Sequence, residues 1–182
     1  MLFQVFSDGA SFNNGYKDKT KPQIASCGLV ITSEEKIIKK AKKIFPDKTI
    51  SYAELKGSIL VLDLLKKSIL DKYDIKKPYK IELYSDSQFV IKGINEWMKN
   101  WLKSCNDWKK DIWYNSSGNV VGQYELFREM KLKYLDNPDF DIKFIHIKGH
   151  TKKQDFFSTM NETCDKIASN CLNQYLKNNN LK

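Results

Sequence analysis

A chain of 182 residues with 41% hydrophobic and 13% aromatic side chains has the material for one buried core, which excludes a disordered chain. Its 31 basic against 22 acidic residues leave a formal charge of +9, which points to a polyanionic partner such as nucleic acid, although an AT-rich coding sequence gives the same Lys-, Asn- and Ile-rich mix. Arg128 is the only arginine, so a surface that grips phosphates fits better than a reader of base sequence, which needs bidentate forks.

Residues 2–8 (LFQVFSD) are apolar with partial alternation and stop at Gly9, the pattern of a strand that delivers Asp8 at its tip. Residues 26–32 and 36–45 read as two further strands, forming an antiparallel meander with the first. Residues 52–67 carry a helical pattern, with Ser51 at the N-cap and Glu54 three residues on as a capping box. A fourth strand over 79–84 ends at Ser85-Asp86, and a helix follows over 87–95. A Trp- and Lys-rich helical segment is expected over 97–113, then a helix over 122–135, a fifth strand over 141–147 and a closing helix over 161–176. This order predicts an α/β domain with a mixed five-stranded sheet flanked by helices. One domain is expected over residues 1–176, with 177–182 as a frayed tail.

Cys27, Cys105, Cys164 and Cys171 contain no C-x-x-C, which argues against zinc. Cys164 and Cys171 fall on one helix face and read as small buried hydrophobes. Nothing resembles a signal peptide or membrane span, so an intracellular, reducing location is expected, with the cytoplasm as default and the nucleus or an organelle as alternatives.

A single acidic residue is ordinarily solvated surface, but the placing of four of them is informative. Asp8 and Asp86 end strands, and strand-end carboxylates project from the sheet edge where α/β folds build their sites. Glu54 falls in the first turn of its helix, where capping is the bland role, and Asp165 in the first turns of the last helix, after a loop holding Gly149 and His150. Two carboxylates about 4 Å apart repel by roughly 4 kcal/mol at an effective dielectric of 20, so their convergence calls for cations. Hard oxygen donors select Mg²⁺ or Mn²⁺ over zinc, and a pair of such ions suits in-line phosphodiester hydrolysis.

D8-G9-A10, T49-x-x-x-A53-E54, S85-D86-S87-Q88-F89-V90, I147-K148-G149-H150 and N161-E162-x-x-D165 resemble, in that order, the motifs of the ribonuclease H type 1 family. The resemblance covers nearly the whole chain. It implies the ribonuclease H-like fold, with three antiparallel strands followed by parallel ones. It also implies an endonuclease that hydrolyses the RNA strand of RNA–DNA hybrids with two Mg²⁺, Mn²⁺ being the alternative, and leaves 5′-phosphate and 3′-hydroxyl ends. Asp8, Glu54, Asp86 and Asp165 match the metal ligands. His150 matches a loop histidine that assists proton transfer or product release. Asn14 and Gln88 match contacts to ribose hydroxyls and the minor groove. Thr49 matches a phosphate contact on the DNA strand, and Gln123 stands where an Asn often accompanies it. Trp97, Trp101 and Trp113, with Ser116, match the basic protrusion that cradles the DNA strand, and Lys99, Lys103, Lys109, Lys110 and Trp108 surround them. A monomer that binds a hybrid duplex and no membrane is implied. With no hybrid-binding segment before Asp8, a minimal catalytic unit is expected.

The chain departs from the family in carrying Ile50 and Ser51 where two amide side chains are usual, and in longer segments from Trp101 to Trp113 and from His150 to Asp165. Two other readings remain. A non-catalytic hybrid-binding module on the same fold would shift a hybrid without cutting it. An integrase or junction resolvase would cut DNA-only substrates.

Overall fold

In the computed structural model, which describes residues 1–149 and 155–181, one five-stranded sheet runs through the molecule. Its strands are β1 (Leu2–Phe12), β2 (Ile24–Ser33), β3 (Lys36–Pro46), β4 (Tyr79–Ser85) and β5 (Phe140–His146), in the order β3-β2-β1-β4-β5. β1, β2 and β3 pair antiparallel, while β4 joins β1 and β5 joins β4 in parallel, which is the mixed sheet expected.

Alternation along β1 sorts its side chains onto two faces. Phe3 and Val5 meet helix α1 (Ile50–Leu65) in a core shared with Leu55, Ile59 and Leu62. Phe6 points the other way, into a cluster with Met160 and Cys164 of α5 (Phe156–Asn178). β2 is buried from Ile24 to Thr32 because elements cover both its faces, which explains its near-continuous apolar run. Beside α1 lie α2 (Gln88–Lys92), a π-helical turn over Gly93–Trp97, α3 (Met98–Lys103) and α4 (Tyr124–Met130) with its own π-helical extension. Gly93 lets the Phe127 ring in: a Cβ there would lie 2.4 Å from Phe127 Cζ.

Several boundaries differ from the sequence reading. β1 continues past Asp8 to Phe12, because β2 keeps pairing with it after β4 has ended. The N-cap of α1 is Thr49, whose hydroxyl accepts from the Tyr52 amide at 3.2 Å, so Ser51 lies within the helix and Glu54 belongs to its second turn. Regular helix stops at Lys103 rather than continuing to Trp113; turns follow, tied by an isolated bridge between Tyr114 and Val120. α5 begins at Phe156, with Asp155 as N-cap accepting from the Ser158 amide at 2.8 Å, which places Asp165 in the body of the helix. The helix runs on to Asn178, beyond the expected end at residue 176, and carries a cap. Asn180 takes a left-handed conformation (φ 53°), the Leu181 amide donates to Leu176 (2.9 Å) and the Asn180 amide to Lys177 (3.2 Å), a Schellman pattern in which Leu181 also packs near Leu176. No helix among the described residues is long and apolar enough to cross a membrane.

Candidate active site

Asp8 sits just beyond the last β1–β4 pair, Phe6 with Tyr84, and Asp86 directly follows β4, so both carboxylates emerge at one end of the parallel strands. Two glycines bring the other two in. Gly28 pairs with Asp8 across β2, and a Cβ on it would lie 2.1 Å from the Cys164 carbonyl oxygen and 2.9 Å from the Ala168 amide. The α5 backbone therefore rides directly on the sheet there, pinned by the Ser26 hydroxyl donating to the Ala168 carbonyl at 2.8 Å, and carries Asp165 with it. Gly9 does the same for α1: a Cβ would press on Ile50 Cδ1 at 2.9 Å and on Glu54 Cγ at 3.1 Å.

The electrostatics identify the four as one cluster. Asp8 is 8% exposed, and burial, then Asp86, Asp165 and Glu54, push its carboxyl up to about 7 against the opposing Gly9 amide, which donates to it at 2.6 Å. Glu54 is likewise raised by burial and by Asp86, opposed by the Ser87 hydroxyl donating to it at 2.7 Å. Asp86 receives the Asn161 amide at 3.3 Å, and its main-chain carbonyl lies 3.2 Å from His146 Nε2. Its carboxylate packs on Gly149, where a Cβ would lie 2.3 Å from Oδ2. Ser169 approaches Asp165 at 3.4 Å. Among the described residues no lysine or arginine pairs with any of the four.

One buried and three half-buried carboxylates without protein cations fit a cation-binding role, and an all-oxygen donor set fits a hard divalent ion such as Mg²⁺. As they stand, no three His, Cys, Asp or Glu side chains among the described residues converge closely enough to hold an ion. The chemistry of the donor set still fits such an ion.

Around this cluster, Asn14 accepts from the Ile50 amide at 3.0 Å, tying the β1–β2 loop to the start of α1 beside Thr49. Gln88 is exposed at the first position of α2. Trp97 (37% exposed), Trp101 and Ser116 line a cavity of about 390 Å³ together with Phe89 and Asn115. Gln123, in a left-handed conformation (φ 59°), begins α4. Trp113 corrects the sequence reading: it is 0% exposed and its indole donates to the Trp108 carbonyl at 2.9 Å, so it packs the protrusion and has no surface to offer a duplex. Arg128 is also structural, its guanidinium donating to the Asp111 carbonyl and standing over the Tyr124 ring. His150 lies outside the described residues. Sequence reasoning gave no role to Ser87, Asn161 or His146, all of which touch the carboxylates or their backbone. The one available signal was the N-E-x-x-D spacing, which sets Asn161 one turn before Asp165 on the same helix face.

The sequence model of the RNase H family matches residues 2–173. A ribonuclease H of Clostridium botulinum is 32% identical over 171 residues, covering 94% of this chain and 95% of that protein. Two solved structures share the fold. One is LC11-RNase H1 in complex with an RNA/DNA hybrid, with TM-score 0.59, 18% identity, and coverage of 96% of this chain and 99% of that one. The other is RNase H1 from the halophilic archaeon Halobacterium salinarum, with TM-score 0.59, 21% identity and the same coverage.

Proposed function

The chain belongs to the RNase H family, and from that premise we propose that it is an endonuclease cutting the RNA strand of RNA–DNA hybrids, with Asp8, Glu54, Asp86 and Asp165 as its metal ligands. The observation that carries this reading is the convergence of Asp86, Asp165 and Glu54 on the buried Asp8 carboxyl, with no lysine or arginine among the described residues paired to any of the four. Those side chains would hold two Mg²⁺. When bound, the ions would supply the charge that activates the attacking water and steadies the departing 3′ oxygen, leaving 5′-phosphate and 3′-hydroxyl ends.

The chain's own residues do the rest. Ser87 holds Glu54 by its hydroxyl, and the Gly9 amide holds Asp8, so neither carboxylate depends on the ions alone for its direction. Asn14 and Gln88 are assigned to the 2′-hydroxyl and minor groove, where RNA differs from DNA. Thr49 and Gln123 are assigned to a phosphate of the DNA strand. The indole-lined cavity of Trp97, Trp101 and Ser116 is assigned to the rest of that strand, since indole faces and exposed lysines suit stacking and phosphate contact. His150 is assigned to proton transfer or product release.

The test is cleavage of labelled hybrid, double-stranded RNA and double-stranded DNA side by side with Mg²⁺, using wild type and Asp86→Asn. Selective cutting of the hybrid, lost in the variant, is the expected result. A hybrid that shifts in a gel but stays whole would overturn the catalytic reading in favour of a binding module.

A further inference from the structure

Asn161 is 3% exposed on α5, one turn before Asp165. Its Nδ2 donates to Asp86 Oδ2 at 3.3 Å, while its Oδ1 is buried with no hydrogen-bond partner among the described residues. Chemistry fixes which way round the amide stands. An ionised carboxylate only accepts, so the NH₂ end faces Asp86 and leaves the carbonyl, on the same small planar group, beside the cluster. A buried carbonyl oxygen without a donor is uncommon and unfavourable, and such an atom calls for an explanation in terms of what it serves. Asp86 Oδ2 is confined from another direction by Gly149, whose Cα leaves no room for a Cβ. Asn161 and Gly149 thus fix one carboxylate oxygen, and no described residue hydrogen-bonds to the other, Oδ1.

We infer that Asn161 is a positioning residue for the cation site: its Nδ2 locks Asp86 with Oδ1 turned to a divalent ion, and its own Oδ1 accepts a hydrogen bond from water held by that ion. This rests on the metal-site reading above. Partners that orient a ligand from behind are commonly needed for tight binding, and their loss weakens metal affinity by roughly 10- to 100-fold.

The experiment titrates Mn²⁺ alone into metal-free full-length protein by calorimetry, for wild type, the near-isosteric Asn161→Leu and the smaller Asn161→Ala. Denaturant unfolding of each metal-free protein shows whether it is folded; if the leucine overpacks the site, the alanine variant carries the test. The expected result is Mn²⁺ affinity weakened roughly 10- to 100-fold. Turnover should largely recover at saturating Mn²⁺, with the KM for hybrid unchanged. A purely packing role would instead lower stability and leave the Mn²⁺ affinity of the folded variant equal to wild type, which overturns the inference. Wild type that binds no Mn²⁺ would overturn the metal-site reading itself, a distinct outcome.

Discussion

Neutralising Asp8 should stabilise the metal-free protein while destroying its activity, and the size of the gain follows from its surroundings. Its carboxyl titrates at about 7 in the fold against 3.8 for the ordinary side chain, chiefly through burial and the neighbouring Asp86. Between those two pH values the folded state keeps a proton that the unfolded chain has lost. Stability therefore falls as pH rises from about 4 to about 7 and levels off above. At about 1.36 kcal/mol per pH unit, the gap corresponds to about 4 kcal/mol at most, and less if the cluster spreads when charged. Asp8→Asn keeps an oxygen to accept from the Gly9 amide and removes the charge. At pH 8 with chelator present, the variant should exceed wild type by on the order of 2–4 kcal/mol in urea unfolding, or roughly 4–16 °C in Tm. The difference should shrink as pH falls and vanish only well below 3.8, where wild-type Asp8 is protonated in both states. Adding Mg²⁺ at pH 8 should close the gap from the other side by stabilising wild type more than the variant. A variant less stable than wild type at pH 8, or a difference that ignores pH, would refute the argument that this carboxylate is held against its own electrostatics.

Gly28→Ala should lower Tm and cut activity sharply, because its Cβ would drive the α5 backbone, and with it Asp165, off the sheet; activity equal to wild type would show that the approach of α5 is not needed. Replacing the exposed Lys99, Lys103 and Lys109 together by Ala should flatten the slope of log affinity for hybrid against log salt, by up to roughly 0.9 per lost phosphate contact, while turnover at saturating substrate survives. An unchanged slope would leave these lysines as solvated surface. His150→Ala should slow turnover with hybrid affinity nearly unchanged, measured by single-turnover and steady-state rates in parallel; complete loss at saturating Mg²⁺ would instead make it an obligatory group.

The sheet was legible because its strands carry their own signal. β2 is a near-continuous apolar run because both faces are covered, and β4 ends where Asp86 follows. The errors fall where tertiary contacts set a boundary. Nothing local says that β1 continues beyond Asp8; the strand persists because β2 pairs with it as far as Ile24. The α1 cap is Thr49 rather than Ser51 because Asn14, 36 residues away, supplies an acceptor for the Ile50 amide and lets the helix begin a turn's fraction earlier. The segment after Lys103 keeps a helical composition, yet the Asp111 carboxylate accepts from the Asn106 and Asp107 amides, both at 2.8 Å, and turns the chain instead. The start of α5 was announced by Asp155 with Ser158 three residues on, a capping signal masked by the longer motif that begins at Asn161.

The candidate site divides the same way. Strand ends and motif spacing point to the residues that bear charge, because chemistry restricts their identity. They do not point to what lets those residues approach. Gly28 and Gly149 each meet a neighbour at a distance no Cβ tolerates, the α5 backbone around Cys164 and the Asp86 carboxylate, while Gly9 leaves only tight room, 3.1 Å, for Glu54 Cγ. A glycine in a sequence shows only that a side chain is missing; which backbone or carboxylate fills the space is known once the elements have packed. The indoles show the converse. Trp97, Trp101 and Trp113 are the same residue type in one segment, yet their exposures of 37%, 7% and 0% divide them between cavity wall and core. Residue type predicts that an indole will find a partner. Packing decides whether that partner can be a nucleic acid, and for Trp113 it is the Trp108 carbonyl.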